Sequence, residues 1–487
     1  MKLYQTDSAS EMILSMQLNK EGKILPLTRN WFYSTELRVL NTQIIYRISL
    51  ALSPNNWHLA KTISVGIFLL ILIICAIWLM HKIGYADYAL WMACAVISPF
   101  GFWYGQNVIF NSYYVPHIAI SLASFALLFS SIKTVNKQFK FFQISALLLL
   151  GFIAGCGGIR QLMICYVPLL LTSIILLYLR NGMDKTNDFF YLIFSLFLMA
   201  CAGYLLNNKI LSHFFCYSNH SETMWGEFNL EKVFQCLGDF IHLFGWHENV
   251  NIFSLKGMGN IFGILFVFIT FCAIIYLIKN LKQLDCYESL IVLFFVTAFL
   301  IQLLVFSAAG PYNESYRVPT APFVFIISLI ALRKCKDLIQ KGSILVVFTF
   351  MLLLCSKANF SNPYNLTVPN SIKLQNIAEW LTELGYTQGY ATFWNSNILT
   401  ELSDGKIEMW TISESNYIDL ECIKWLQTTA HIENPPKGSC FLLLHKTEEL
   451  ERNINLADNL STHLVYGDDD FMIYDFDDIS QYWNLIN

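Results

Sequence analysis

The chain has 487 residues, of which 55% are hydrophobic and only 14% charged, with a formal net charge of -4. Soluble domains carry about 25% charged residues, so an ordinary soluble protein is excluded and a polytopic membrane protein is indicated. The net charge is too small to point to a partner, and the lack of any basic block excludes a nucleic-acid binder.

Residues 1–60 are mixed in character. The segment Asp7-Ser-Ala-Ser-Glu11 opens a polar stretch that runs to Arg38. Periodic apolar residues over Met12–Leu18 predict a short amphipathic helix, and Leu40–Leu52 a second, ended by Pro54. No short apolar leader opens the chain, so no signal peptide is expected.

Apolar runs follow at about 63–80, 88–105, 115–132, 142–157, 161–179, 189–207, 260–278, 288–308, 321–332 and 343–355. A spanning helix needs about 20 mainly apolar residues, so the last two runs must borrow flanking residues or sit where the bilayer thins. Ten spans are expected. Alternate loops hold Lys82; Lys133, Lys137 and Lys140; Arg180 and Lys185; Lys279 and Lys282; and Arg333, Lys334, Lys336 and Lys341, against Arg160 and Arg317 in the others. This asymmetry puts the basic loops in the cytoplasm. By parity residues 1–60, the 208–259 loop and everything after 356 lie outside. Residues 1–61 nevertheless carry seven Lys and Arg that would have to cross unaided. A leading transmembrane helix upstream of Met1 is the simplest expectation that removes this conflict.

Gly151/Gly155 and Gly259/Gly263 are GxxxG spacings in or at apolar runs and predict close helix packing. The 13 Cys contain no CxxC pair. Most lie in apolar runs, where Cys behaves as a small hydrophobe. Cys216 and Cys236 lie in a polar segment and are a candidate bridge, whose connectivity the sequence does not fix. After residue 366 the pattern becomes that of a soluble α/β domain. Ser371–Leu384 is an amphipathic helix stopped by Gly385. Strands are predicted at Tyr390–Trp394, Lys406–Ile412, Cys440–Leu444, His463–Tyr466 and Phe471–Tyr474, with a hairpin turn at 467–470. Helices are predicted at 395–402, with Asn395 as N-cap, and at 418–429.

Several residues could carry chemistry. Asp7 and Glu11 are four apart and share one helical face; such a pair suits a general base or a divalent cation, or is a solvated helix end. Glu36 and Arg38 follow Trp31 and Tyr33, aromatic types of the membrane interface. Arg160 and Arg317 stand beside apolar runs, where an Arg is costly and is a functional candidate by default. The guanidinium fork suits a phosphate; the alternatives are snorkelling for Arg160 and a salt bridge from Arg317 to Glu314. Tyr104, Gln106, Asn107, Asn111, Tyr113 and His117 form a polar aromatic loop suited to sugar hydroxyls or to any interfacial turn. In the 208–259 loop, His242 and His247 are poorly spaced for one metal; His247 or Glu248 lining an acceptor groove is the better reading.

An acidic first exterior loop, many apolar helices and an exterior C-terminal α/β domain together resemble the GT-C glycosyltransferases, GT39-like or Rgt-like. Asp7 stands where that family has its first acid, with Ser8 where Glu is common, and Arg317-Val-Pro loosely resembles an Arg-Tyr-x-x-Pro-like element. The resemblance implies a polytopic α-helical fold: an exterior first loop (1–60), a transmembrane domain (61–356) and an exterior α/β domain (366–487), in the plasma (inner) membrane. It implies transfer of a sugar from a polyprenyl-phosphate donor to a glycan, lipid or protein acceptor, with membrane lipids as further partners. Asp7 and Glu11 would be catalytic, Arg317 and Arg160 would bind the donor phosphate, and Glu36, Arg38, Tyr104, Asn107, Tyr113, His247, Glu248 and Glu314 would line the substrate. A divalent cation, Mg2+ or Mn2+, would suit the acids without being demanded. The rival readings are a flippase or transporter of lipid-linked sugars, a polymerase or ligase of surface polysaccharide, and a membrane-anchored sensor.

Overall fold

The computed structural model describes residues 5–34, 37–180, 184–217, 224–310, 313–335, 337–361, 371–413, 420–447 and 458–486. Among these, nine helices are long and apolar enough to cross a membrane. The two short late runs do borrow neighbours. One becomes Glu314–Lys334 by adding a 3-10 turn over Glu314–Thr320, the other Lys341–Asn359.

The run at 88–105 departs from expectation. It forms a helix of Ala86–Val96, too short to cross, and then breaks before a second helical piece begins at Phe102. Pro99 offers no N–H to a continuing helix. A Cβ on Gly101 would meet the Leu243 carbonyl oxygen at 2.1 Å, so the backbone must pass that carbonyl closely.

The bundle has two chemically distinct ends. At one, Lys133 donates to the Lys82 carbonyl, Arg333 donates to the Gly84 carbonyl, and Arg180 donates to the Leu281 and Leu284 carbonyls. Lys334 pairs with Glu288 at 2.8 Å. The basic loops named above thus meet at one end. The other end carries residues 5–60, the 208–259 loop and the C-terminal sheet. Close packing follows the glycines as expected: Cβ atoms on Gly151, Gly155 and Gly263 would meet Leu196 Cδ1 at 2.4 Å, the Ala200 oxygen at 2.0 Å and the Phe244 oxygen at 2.4 Å.

The C-terminal sheet has five strands: β1 (Gln388–Thr392), β2 (Glu408–Ile412), β3 (Cys440–His445), β4 (Leu464–Gly467) and β5 (Phe471–Phe476). Their order is β2-β1-β3-β5-β4, with β1 parallel to both neighbours and β5 antiparallel to both of its own. All five predicted strands are present. Gly385 ends the helix Ser371–Glu383 at φ 85°, and Asp468 accepts from the Asp470 and Phe471 amides to close the hairpin. Two expectations fail. Thr392, not the buried Asn395, occupies the N-cap position of the helix Phe393–Leu402. Residues 420–429 are not helical, and Leu420 and Leu426 adopt positive φ there. The Cys216–Cys236 bridge does not form either, since neither cysteine is in a disulfide.

The helix α1 (Thr6–Lys20) is the joint of the molecule. It is not the amphipathic surface helix expected over Met12–Leu18, because each of its faces is covered. Ala9 packs into the sheet's core with Leu374, Ile377 and Ile398. Met12 packs with Tyr46, Leu50 and Trp57, and Leu14 and Leu18 with Trp31 and Tyr33. Its polar residues are buried but paired: Ser8 Oγ shares a hydrogen bond with Tyr46 Oη at 2.9 Å, and Ser15 Oγ donates to the Glu11 carbonyl at 2.6 Å. The sheet is tied to the first long helix by a buried Lys61–Glu401 ion pair of 2.8 Å and by the Trp57 amide donating to Asp404 Oδ1 at 2.7 Å.

Candidate active site

The site forms around the first turns of α1. Asp7 and Glu11 point from one face of that helix toward side chains brought in from three distant segments. Arg38 comes from the stretch after α1, with Nη1 3.4 Å from Glu11 Oε1, and also donates to Tyr113 Oη while its guanidinium lies 4.9 Å from that ring's centre. Thr42 Oγ1 donates to Glu11 Oε2 at 3.3 Å. Arg160 lies between the rings of Tyr114 and Tyr316, at 5.6 and 5.4 Å, and is close enough to Asp7 to act on its charge.

Burial pushes the Asp7 carboxyl above the ordinary carboxylate range, and the Arg38 and Arg160 guanidinium groups partly offset this. Burial also raises Glu11, against Arg38 and the Thr42 hydrogen bond, with the Asp7 charge adding to the rise. Asp7 keeps some accessible surface while lying deep among protein atoms, as a group on the floor of a crevice does. A carboxylate raised in this way holds a proton more tightly than an exposed one and suits the role of proton acceptor. The donor set fits a divalent cation poorly: Glu11 is already engaged by Arg38 and Thr42, and two guanidinium groups supply the positive charge.

Three segments lining this end wind as π-helix: Gly105–Phe110, Leu162–Tyr166 and Leu206–Ile210. Such turns recur at functional sites because the extra residue redirects side chains. Here the expected polar loop at 104–117 is reduced to a buried turn at 111–114 between two helical segments. Asn107 is fully buried and accepts from Gln5 Nε2 at 2.9 Å, next to the start of α1. Tyr104 is turned into the core, where it donates to the Val96 carbonyl at 2.8 Å and stacks on Phe100; it does not line a loop.

Arg317 is 1% exposed, and Nε, Nη1 and Nη2 have no hydrogen-bond partner among the described residues. The expected salt bridge to Glu314 is not made. Glu314 instead accepts from Trp103 Nε1 at 2.6 Å and faces His242. Arg317 lies 5.5 Å from the Phe299 ring and 5.9 Å from that of Phe306, which packs on Tyr316. Arg160 and Arg317 therefore flank the Tyr316–Phe306 pair from two sides. Arg317 makes no described contact with Asp7 or Glu11. Cation–π attraction supplies about 0.5–2 kcal/mol, whereas a buried unpaired ion costs several.

The remaining candidates are more scattered. The His247 amide is held by Asn260 at 2.8 Å, and burial lowers the imidazole's proton affinity. Glu248 is exposed and faces His242 at 3.9 Å. Glu36 lies outside the described residues. Sequence reasoning missed Thr42, Tyr114, Ser315 and Tyr316; Tyr114 Oη and Ser315 Oγ share a hydrogen bond of 3.2 Å behind Arg160. Tyr114 and Ser315 meet across 201 residues and Thr42 and Glu11 across 31, separations that no local pattern reveals.

A scan against protein-family models and a search of curated proteins give no match. Among solved structures, the chain is similar to ArnT from Cupriavidus metallidurans in the apo state, with a TM-score of 0.64 and 11% identity over 96% of this chain and 93% of that one. It is equally similar to the same protein bound to undecaprenyl phosphate, with a TM-score of 0.63 and 11% identity over 97% and 94% of the two chains. The chain therefore shares its fold with ArnT over nearly its whole length.

Proposed function

We propose that this GT-C-fold protein is a membrane glycosyltransferase that moves a sugar from a polyprenyl-phosphate donor to an acceptor hydroxyl outside the cytoplasm. The observation that carries the reading is Asp7, raised above the usual carboxylate range and flanked by Arg38 and Arg160 at the end of the bundle opposite the basic loops. The ArnT structure bound to undecaprenyl phosphate supports a lipid phosphate as the donor's carrier. The basic loops face the cytoplasm, which leaves α1 and the sheet on the external side of the inner membrane.

In the proposed reaction Asp7 takes the proton of the acceptor hydroxyl. The freed oxygen attacks the anomeric carbon from the face opposite the phosphate. The bond from that carbon to the phosphate oxygen breaks, and configuration inverts. The departing polyprenyl phosphate takes up the electron pair, and fixed guanidinium charge, from Arg160 and the unpaired Arg317, stabilises it. Glu11 orients Arg38 and, through its charge, helps set the basicity around Asp7. No step needs a divalent cation.

The test is transfer from labelled polyprenyl-phosphate sugars by the protein reconstituted in lipid. Asp7→Asn is expected to lower the rate by about 100-fold or more, the usual worth of a general base, while the protein still inserts and binds polyprenyl phosphate. Full transfer by this variant would remove the mechanism. Donor movement across the bilayer without bond cleavage would favour a flippase.

A further inference from the structure

A second cluster of ligand-type side chains lies apart from Asp7. The helix Leu230–His242 in the 208–259 loop carries Asp239 and His242 three residues apart, on one face. Glu314 reaches them from the 3-10 turn that also bears Arg317. Asp239, His242 and Glu314 each offer one ligand atom, and these atoms lie within 4.8 Å of one another.

Two further observations indicate that the cluster awaits a ligand. Asp239 is only 6% exposed, yet its Oδ2 has no hydrogen-bond partner among the described residues. An ionised carboxylate left so is costly unless a cation completes it. The His242 ring, in addition, sits between two carboxylates without bonding either: Nδ1 is 3.9 Å from Glu314 Oε2 and Nε2 is 3.9 Å from Glu248 Oε1. The first distance is too long for a hydrogen bond. It is only slightly wider than the roughly 3.4 Å between two ligands on a tetrahedral ion with bonds of about 2.0–2.1 Å.

We propose that Asp239, His242 Nδ1 and Glu314 bind a first-row transition dication of the zinc class, with Glu248 orienting His242 from the far side. A carboxylate on the second ring nitrogen is the usual support for a metal-bound histidine. One nitrogen and two oxygen donors, with no thiolate, suit Zn2+ or Mn2+ better than Ca2+, which takes oxygen ligands. His242 and Glu314 retain about a third of their side-chain surface, which leaves an entry path. The ion pins the loop helix to the turn carrying Arg317, so it is a positioning site that fixes where that guanidinium stands. Trp103, which donates to Glu314 Oε2 at 2.6 Å, holds the third ligand in place.

The experiment is metal analysis of the full-length protein in detergent after equilibration with Zn2+ and removal of free ion, with thermal unfolding measured in parallel. The wild type is expected to retain about one ion per chain and to lose thermal stability on chelation. His242→Ala and Asp239→Asn should each abolish retention. Glu248→Gln should weaken it about 10-fold or more, the scale of a lost outer-shell partner. His445→Ala, on the distant sheet, should leave it unchanged. A wild type that retains no ion overturns the proposal, and so does retention that survives both ligand substitutions. Neither readout depends on sugar transfer, so failure here is separate from failure of the glycosyltransferase reading.

Discussion

Lys61 and Arg317 are both buried, and they are treated in opposite ways. Lys61, on the first long helix, meets Glu401 of the sheet domain at 2.8 Å, and both side chains are almost wholly enclosed. Arg317 is as deeply enclosed, but its three nitrogens find no acceptor among the described residues. A buried pair that satisfies itself is part of the architecture, and its charges are unavailable for anything else. A buried charge left open marks a place where an anion from outside the chain belongs. The contrast separates the seam that holds the sheet on the bundle from the turn to which the proposed reaction assigns the donor phosphate.

The strongest way to break this contrast is at the proposed proton acceptor, where the loss expected for Asp7→Asn is catalytic and leaves the seam intact. Next in size is the seam. Lys61→Met should destabilise the protein by about 3–5 kcal/mol, because it removes one member of a buried ion pair. Denaturation in detergent checks this, and unchanged stability would make the pair incidental. Arg317→Met should do the reverse: it removes a charge with no partner, so stability without ligand should hold or rise while donor affinity falls. A loss of stability as large as that of Lys61→Met would mean that Arg317 is structural.

The smallest effect concerns pH. The Asp7 carboxyl is raised in the folded protein, so this group favours folding below its unfolded value, and that contribution is lost as pH rises through the folded value. Activity runs the other way, since a proton acceptor must be ionised. The rate should therefore climb with pH along an acidic limb that lies above the ordinary carboxylate range. Arg38→Met removes a charge that lowers the Asp7 value and should move that limb to higher pH. A limb that stays in place in the rate profile would detach Arg38 from Asp7.

Much of the scaffold was legible because it depends on local pattern. The five strands follow from short apolar segments between turn residues, and the gathering of Lys and Arg at one end follows from loop parity. The pairing of Asp7 with Glu11 needs only the four-residue spacing. What was not legible depends on partners far along the chain. Glu314 looks like the natural mate of Arg317 three residues on, yet it accepts from Trp103 instead. The periodicity of α1 suggests a surface helix, yet the sheet, Tyr46 and Trp31 cover it on all sides. The run at 88–105 has the composition of a span, but the close approach of Gly101 to Leu243 breaks it.

In the proposed reaction the open guanidinium of Arg317 receives the phosphate of a lipid-linked donor. Thermal unfolding of the purified protein with and without added polyprenyl phosphate tests it most directly. Wild type and Lys61→Met should both gain stability on adding the lipid, whatever their starting points, and Arg317→Met should gain little or none. An undiminished gain in Arg317→Met would contradict the claim.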